Sequence, residues 1–232
     1  MNNSHLFNSA QTAFVAAVLI VALGALSFFA SEPSIGRSAS ETFTVTQTVS
    51  GAIAFQASTS PVTMVGTLDG LTGGTSWGTT TSRVRTNNST GYQMTLTFAS
   101  TAPMIRNGGS GYISTYQYST GTASYPTGFD TSVSYAQIGF SVNASNTADV
   151  SNVFKSSGSA CGSGTFTVNN CWRGASSTNA AAGTQVILTA APTPASGSTS
   201  TVQFRITIPN NPNPAVPDGT YTATATLTAT DN

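Results

Sequence analysis

The residues that could carry out chemistry are few and badly placed for it. The single histidine is His5, in an uncharged N-terminal stretch. The remaining chain therefore cannot assemble a Ser–His–Asp triad, a Cys–His dyad or a histidine-ligated metal. The one lysine is Lys155, and an S-x-x-K pair would need serine where Asn152 stands. Beyond residue 40 the acids are Glu41, Asp69, Asp130, Asp149, Asp218 and Asp231. Asp69 and Asp218 each precede glycine, the pattern of an aspartate that bonds its own turn. Asp130 and Asp149 are left as the only conceivable carboxylate pair for glycoside hydrolysis, with isolated loop acids as the simpler reading. No glycine-rich loop follows a strand and opens a helix, so there is no phosphate cradle. The expectation is a chain without enzymatic activity, cofactor or metal.

Two cysteines and a group of tyrosines remain. Cys161 and Cys171 stand ten positions apart. An even count in an exported chain favours a disulfide, here a local staple. Tyr112, Tyr116, Tyr118, Tyr125 and Phe129 crowd one Gly/Ser-rich stretch. Tyr116 and Tyr118 share a parity with Tyr112, so a strand would place them on one face. They make a candidate glycan platform, the competing reading being rings that cover one end of the core. Trp77 and Trp172 are assigned to the core or its rim.

These residues must be held by strands, because the dominant sequence period is two. Tyr92, Met94, Leu96 and Phe98 alternate with Gln93, Thr95 and Thr97; Val202, Phe204, Ile206 and Ile208 alternate with Gln203, Arg205 and Thr207. Tyr221, Ala223, Ala225, Leu227 and Ala229 alternate with five threonines from Thr222 to Thr230. Phe43, Val45 and Val49 alternate with Thr44, Thr46, Thr48 and Ser50. Each segment has one apolar face, with threonine, whose branched Cβ suits a pleated sheet, on the other. Weaker strands are predicted at residues 62–67, 82–86, 111–118, 133–142, 165–168 and 185–190. Turns fall at Asp69-Gly70, Gly73-Gly74, Asn87-Asn88, Asn107-Gly108-Gly109 and Asp218-Gly219. The pattern predicts an all-β antiparallel β-sandwich, jelly-roll-like, with a closed barrel as the alternative.

Only 6% of the chain is charged, with seven Lys plus Arg against seven Asp plus Glu; soluble domains average about a quarter. A net charge of zero leaves no electrostatic footprint for nucleic acid. No charged residue occurs from Met1 to Ala30, and Ala13–Ala30 is continuously apolar apart from Gly24 and Ser27. This run is read as a signal peptide cleaved near Ser38-Ala39-Ser40, with a retained membrane anchor as the alternative. The organisation expected is therefore an N-terminal signal or anchor over 1–40 and a single sandwich domain over 41–232. The latter lies outside the cytoplasm, with membrane contact only through the N-terminal segment.

Ile208-Pro209, the proline-rich loop, Pro217-Asp218-Gly219-Thr220-Tyr221 and the alternating final strand resemble the closing strand of exported prokaryotic surface β-sandwich proteins of the WxL-like and coat types. The stretch from Thr72 to Phe98 is similar to the same group. The W-x-L tripeptide itself is absent, since Gly78 and Thr79 follow Trp77. The resemblance implies a secreted or cell-surface structural protein. Strands almost without charge also lack the usual guard against edge pairing. Phe43, Val45 and Val49 are therefore the candidate assembly strand, donated to a neighbouring copy or another surface protein by β-augmentation.

Overall fold

A computed structural model describes residues 14, 16–21, 41–117, 129, 131–156, 161–162, 164–166, 171–175 and 184–232. The chain divides into two units, Met1–Thr48 and Val49–Asn232. In the first, Phe14 and residues 16–21 are helical and exposed. Such a short described stretch does not support a helix over the whole apolar run. No described helix is long and apolar enough to cross a membrane.

Residues 41–52 enter no strand. Phe43, Val45 and Val49 are 81%, 81% and 79% exposed. The alternation is present, but no described strand pairs with it. The second compact unit begins at Val49.

The second unit is mostly β. Its described strands are β1 (Ile53–Ala57), β2 (Leu68–Asp69), β3 (Gly73–Thr86), β4 (Tyr92–Phe98), β5 (Met104–Arg106), β6 (Tyr112–Thr115), β7 (Gln137–Ala144), β8 (Lys155–Ser156), β9 (Thr165–Phe166), β10 (Arg173–Gly174), β11 (Thr184–Leu188), β12 (Ser198–Ile208), β13 (Tyr221–Thr222) and β14 (Ala225–Asp231). A large curled sheet runs β1-β3-β12-β7-β6-β5-β13, with β2 also on β3 and β10 also on β7. A three-stranded sheet runs β11-β4-β14, and β8 pairs with β9. The expected antiparallel arrangement holds for the described pairs except β6 and β7, which run parallel. A parallel neighbour needs a crossover of a dozen or more residues, and the connection from Thr115 to Gln137 supplies that length.

The spine is β3-β12-β7, where Phe204 stands opposite both Gly78 and Phe140. The core draws on both larger sheets: Tyr92, Met94, Leu96 and Phe98 from β4 pack with Val202, Phe204, Ile206 and Ile208 from β12. Phe140 is fully buried, with the rings of Phe98, Phe154 and Phe204 at 5.8, 5.6 and 6.5 Å.

β3 is far longer than the predicted 82–86, because its inner face carries no periodic large apolar residues. Ser76 and Ser82 are buried there. Ser82 Oγ lies 2.9 Å from Ser200 Oγ on β12, which satisfies both buried hydroxyls across the strand pair. On the outer face Thr81 Oγ1 lies 3.1 Å from Thr201 Oγ1. Hydroxyl pairs thus occupy cross-strand positions where charge pairs are common in other sheets.

Candidate functional site

Cys161 and Cys171 form a disulfide, with Cα atoms 5.6 Å apart, as the spacing implied. Cys171 is fully buried beside a second, smaller apolar cluster of Tyr116, Phe129 and Trp172. Tyr116 and Phe129 have centroids 4.5 Å apart, and Trp172 meets Phe129 edge-on at 5.3 Å. The Arg205 guanidinium sits 4.9 Å from the centre of the Phe129 ring, and burial lowers its pKa.

This cluster corrects the glycan platform at Tyr116, which is only 3% exposed and offers no face to a ligand. Tyr112 on β6 is 52% exposed, so the two rings do not share an open face. Tyr118 and Tyr125 lie outside the described residues. Trp172 is buried as assigned, whereas Trp77 on β3 is 51% exposed and stands at the rim.

Of the carboxylate pair, Asp130 lies outside the described residues. Asp149 ends a short 3-10 turn and accepts a hydrogen bond from Asn146 Nδ2 at 3.0 Å. Desolvation raises its pKa, opposed by that bond and by Lys155. Among the described residues no group of three His, Cys, Asp or Glu side chains could hold a metal.

An open groove lies at one side of the two sheets. It begins where β1 leaves β3. The last register pair is Ala57 with Arg83, and the chain returns to the β3 edge only at Val65, opposite Trp77. Between them, residues 59–64 turn across β3 and pack on Gly78. A Cβ at Gly78 would lie 2.6 Å from Val62 Cγ1 and 2.9 Å from the Thr63 carbonyl oxygen, so glycine is required for this approach. Thr80 Oγ1 donates to the Ser60 carbonyl at 3.0 Å and holds the crossing in place.

Under that crossing lies a cavity of about 660 Å³. Its walls include Val62, Met64, Leu96, Phe98, Val202 and Phe204, and its rim is formed by Ala225 and Leu227 of β14. A second cavity, of about 720 Å³, shares Met64, Met104 and Tyr221 with the first and extends towards Ile206 and Ile208. Interiors are normally packed without voids much larger than a water molecule. The first cavity is open to solvent at one edge, and Thr59, Ser60 and Thr80 line it together with the apolar side chains.

β14 borders this opening. Among the described strands it forms a ladder only with β4, and β1 comes up against it without pairing. The amide of Ala99 donates to Thr224, and that of Asn232 to Gly91, so even-numbered residues turn their backbone groups towards β4. An antiparallel ladder alternates, and the register is unbroken from Ala225 to Asp231. The N–H and C=O groups of Ala225, Leu227 and Ala229 therefore point away from β4, along the outer edge. Leu227 and Ala229 pack against the core, while Thr226, Thr228 and Thr230 are exposed.

The sequence placed the threonines of this strand outward and its Ala/Leu residues inward; the structure agrees for Leu227 and Ala229, whereas Ala225 is exposed. It did not identify Val62, Met64 and Gly78 as parts of a groove; residues 62–67 were expected to form a strand. The one available signal was Gly78 inside an otherwise threonine-rich strand, which marks a close approach of backbone. The described groups thus define a mostly-β unit with a sheet edge beside an open groove. Comparison with protein-family models, with curated proteins and with solved structures gives no match.

Proposed function

We propose that this chain is an exported, non-enzymatic structural protein that self-associates into an extracellular filament or surface layer by donating the segment Glu41–Val49 as a strand. The two larger sheets are read as the layers of a jelly-roll-like sandwich. The observation that carries the reading is the segment itself. It holds three large apolar residues at strand spacing, exposed at 81%, 81% and 79%, in no described strand. Solitary exposed apolar residues are ordinary, but an aligned row of them is a binding face without its partner. No charge interrupts residues 42–50, so nothing there opposes edge pairing.

Export is supported by the N-terminal apolar run and by the Cys161–Cys171 disulfide, which suits an oxidising compartment. A structural role is supported by the scarcity of catalytic residue types. The test is sedimentation and electron microscopy of the protein recovered from the cell exterior. Wild-type protein is expected to form polymers, and the triple variant F43D/V45D/V49D to remain monomeric with an unchanged melting temperature. Polymers of normal length from that variant would refute strand donation.

A further inference from the structure

We infer that the receiving site for this segment, in a second copy of the chain, is the outer edge of β14 together with the apolar cavity beneath it. The inference rests on the strand-donation reading and assigns its acceptor.

Three observations point to this edge. The backbone groups of Ala225, Leu227 and Ala229 face outward, in a strand paired among the described strands only with β4. They are a template on which an extended segment can form a ladder. Directly inside lies the cavity of about 660 Å³, walled by Met64, Leu96, Phe98 and Phe204. An added strand would cover it. Finally, donor and edge have the same two-residue grammar. Phe43, Val45 and Val49 alternate with threonines, as Ala225, Leu227 and Ala229 do. Laid along β14 with its apolar side inward, the donor directs its large side chains to the place where β14 offers small ones, and its threonines extend the exposed threonine row. Apart from Glu41 at one end of the donor and Asp231 at one end of β14, neither segment carries a charge that would oppose the pairing.

The occupant is a second copy because each chain carries one donor and one acceptor. Repeated head to tail without closing into a ring, such a contact gives an open filament. The acceptor-blocked variant A225R places a charged, bulky side chain at the rim, where Ala225 is exposed and the fold tolerates it. The donor-blocked variant is F43D/V45D/V49D. Each is expected to be monomeric alone in analytical ultracentrifugation. Mixed, they are expected to form one-to-one dimers and nothing larger, since one copy only accepts and the other only donates.

If A225R polymerises like the wild type while the donor-blocked variant does not, the acceptor lies elsewhere and donation stands. If both polymerise, donation itself fails. A covalent assay decides independently of folding in A225R. Copies bearing V45C are mixed with copies bearing A225C, L227C or A229C and oxidised; the described native cysteines, being disulfide-bonded, do not compete. A disulfide-linked heterodimer at one of the three positions is expected. Absence of a heterodimer at all three overturns the assignment. When V45C and its partner are placed in one chain, a link that closes within the monomer, with no ladder of multimers, overturns the second-copy occupant.

Discussion

Replacing Phe43 by alanine separates assembly from folding. A phenylalanine buries about 200 Å² when fully enclosed, and Phe43 is 81% exposed in the chain. About 160 Å² is therefore available for burial on assembly, worth about 4 kcal/mol at the usual apolar coefficient. Immobilising the ring costs about 1 kcal/mol, which leaves about 3 kcal/mol at each contact. Since 1.4 kcal/mol is tenfold in an equilibrium constant, Phe43→Ala should raise the critical concentration for polymerisation about a hundredfold. The measurement is the protein remaining in the supernatant after sedimentation over a concentration series. The melting temperature of the dilute monomer should not change, because the ring contributes little to its own chain. Two results would refute the reasoning: an unchanged critical concentration, or a monomer that melts several degrees lower. The first would mean that the ring stays in water in the polymer, the second that it is a core residue.

The buried hydroxyl pair gives a second test. Ser82→Ala leaves Ser200 without its partner and should cost about 1–2 kcal/mol. The double variant S82A/S200A should cost no more than the single one, a coupling of about 1 kcal/mol in a denaturant-melt cycle; simple additivity would contradict the pairing. Opening the short loop by C161A/C171A should cost about 2–3 kcal/mol, a fall of about 5–10 °C by calorimetry, and reductant should then have no further effect. Asp69 supplies a pH dependence. The backbone amides of Thr72 and Leu71 donate to its carboxylate and hold its pKa below the ordinary 3.8. A lowered folded value stabilises the fold above the unfolded pKa, and that contribution is lost as pH falls through the folded one. Wild-type stability should therefore decline on acidification below about pH 4 more steeply than that of Asp69→Asn, as read by urea melts at pH 7 and pH 3.

How much of the fold could be read in advance depended on what each strand faces. β4 and β12 alternate large apolar with polar residues, and both are buried on the expected side. The cysteine pair was equally legible, because a short loop between two cysteines needs no knowledge of the rest of the fold. β3 was mostly invisible. Apart from Val84 its inner face is Ser, Gly and Thr, whose placement depends on Ser200 across the pair and on the crossing of residues 59–64 above Gly78. Tyr116 could be read both ways: strand parity allowed an open platform or a ring covering one end of the core, and Phe129 and Trp172, from other parts of the chain, close over it.

The amino-acid sequence alone determined the period of two, the hydroxyl-rich and nearly ion-free surface, the pairing of the two cysteines and the poverty in catalytic side chains. These follow from composition and local spacing, which survive any tertiary arrangement. Only the tertiary structure decided that β14 has an outer edge, that the groove beside it is open, and that Phe43, Val45 and Val49 stand in water. The physical reason is that an edge and a cavity are defined by which strand is missing next to them. Two segments with the same alternation, one paired and one not, look identical until the sheet order is known.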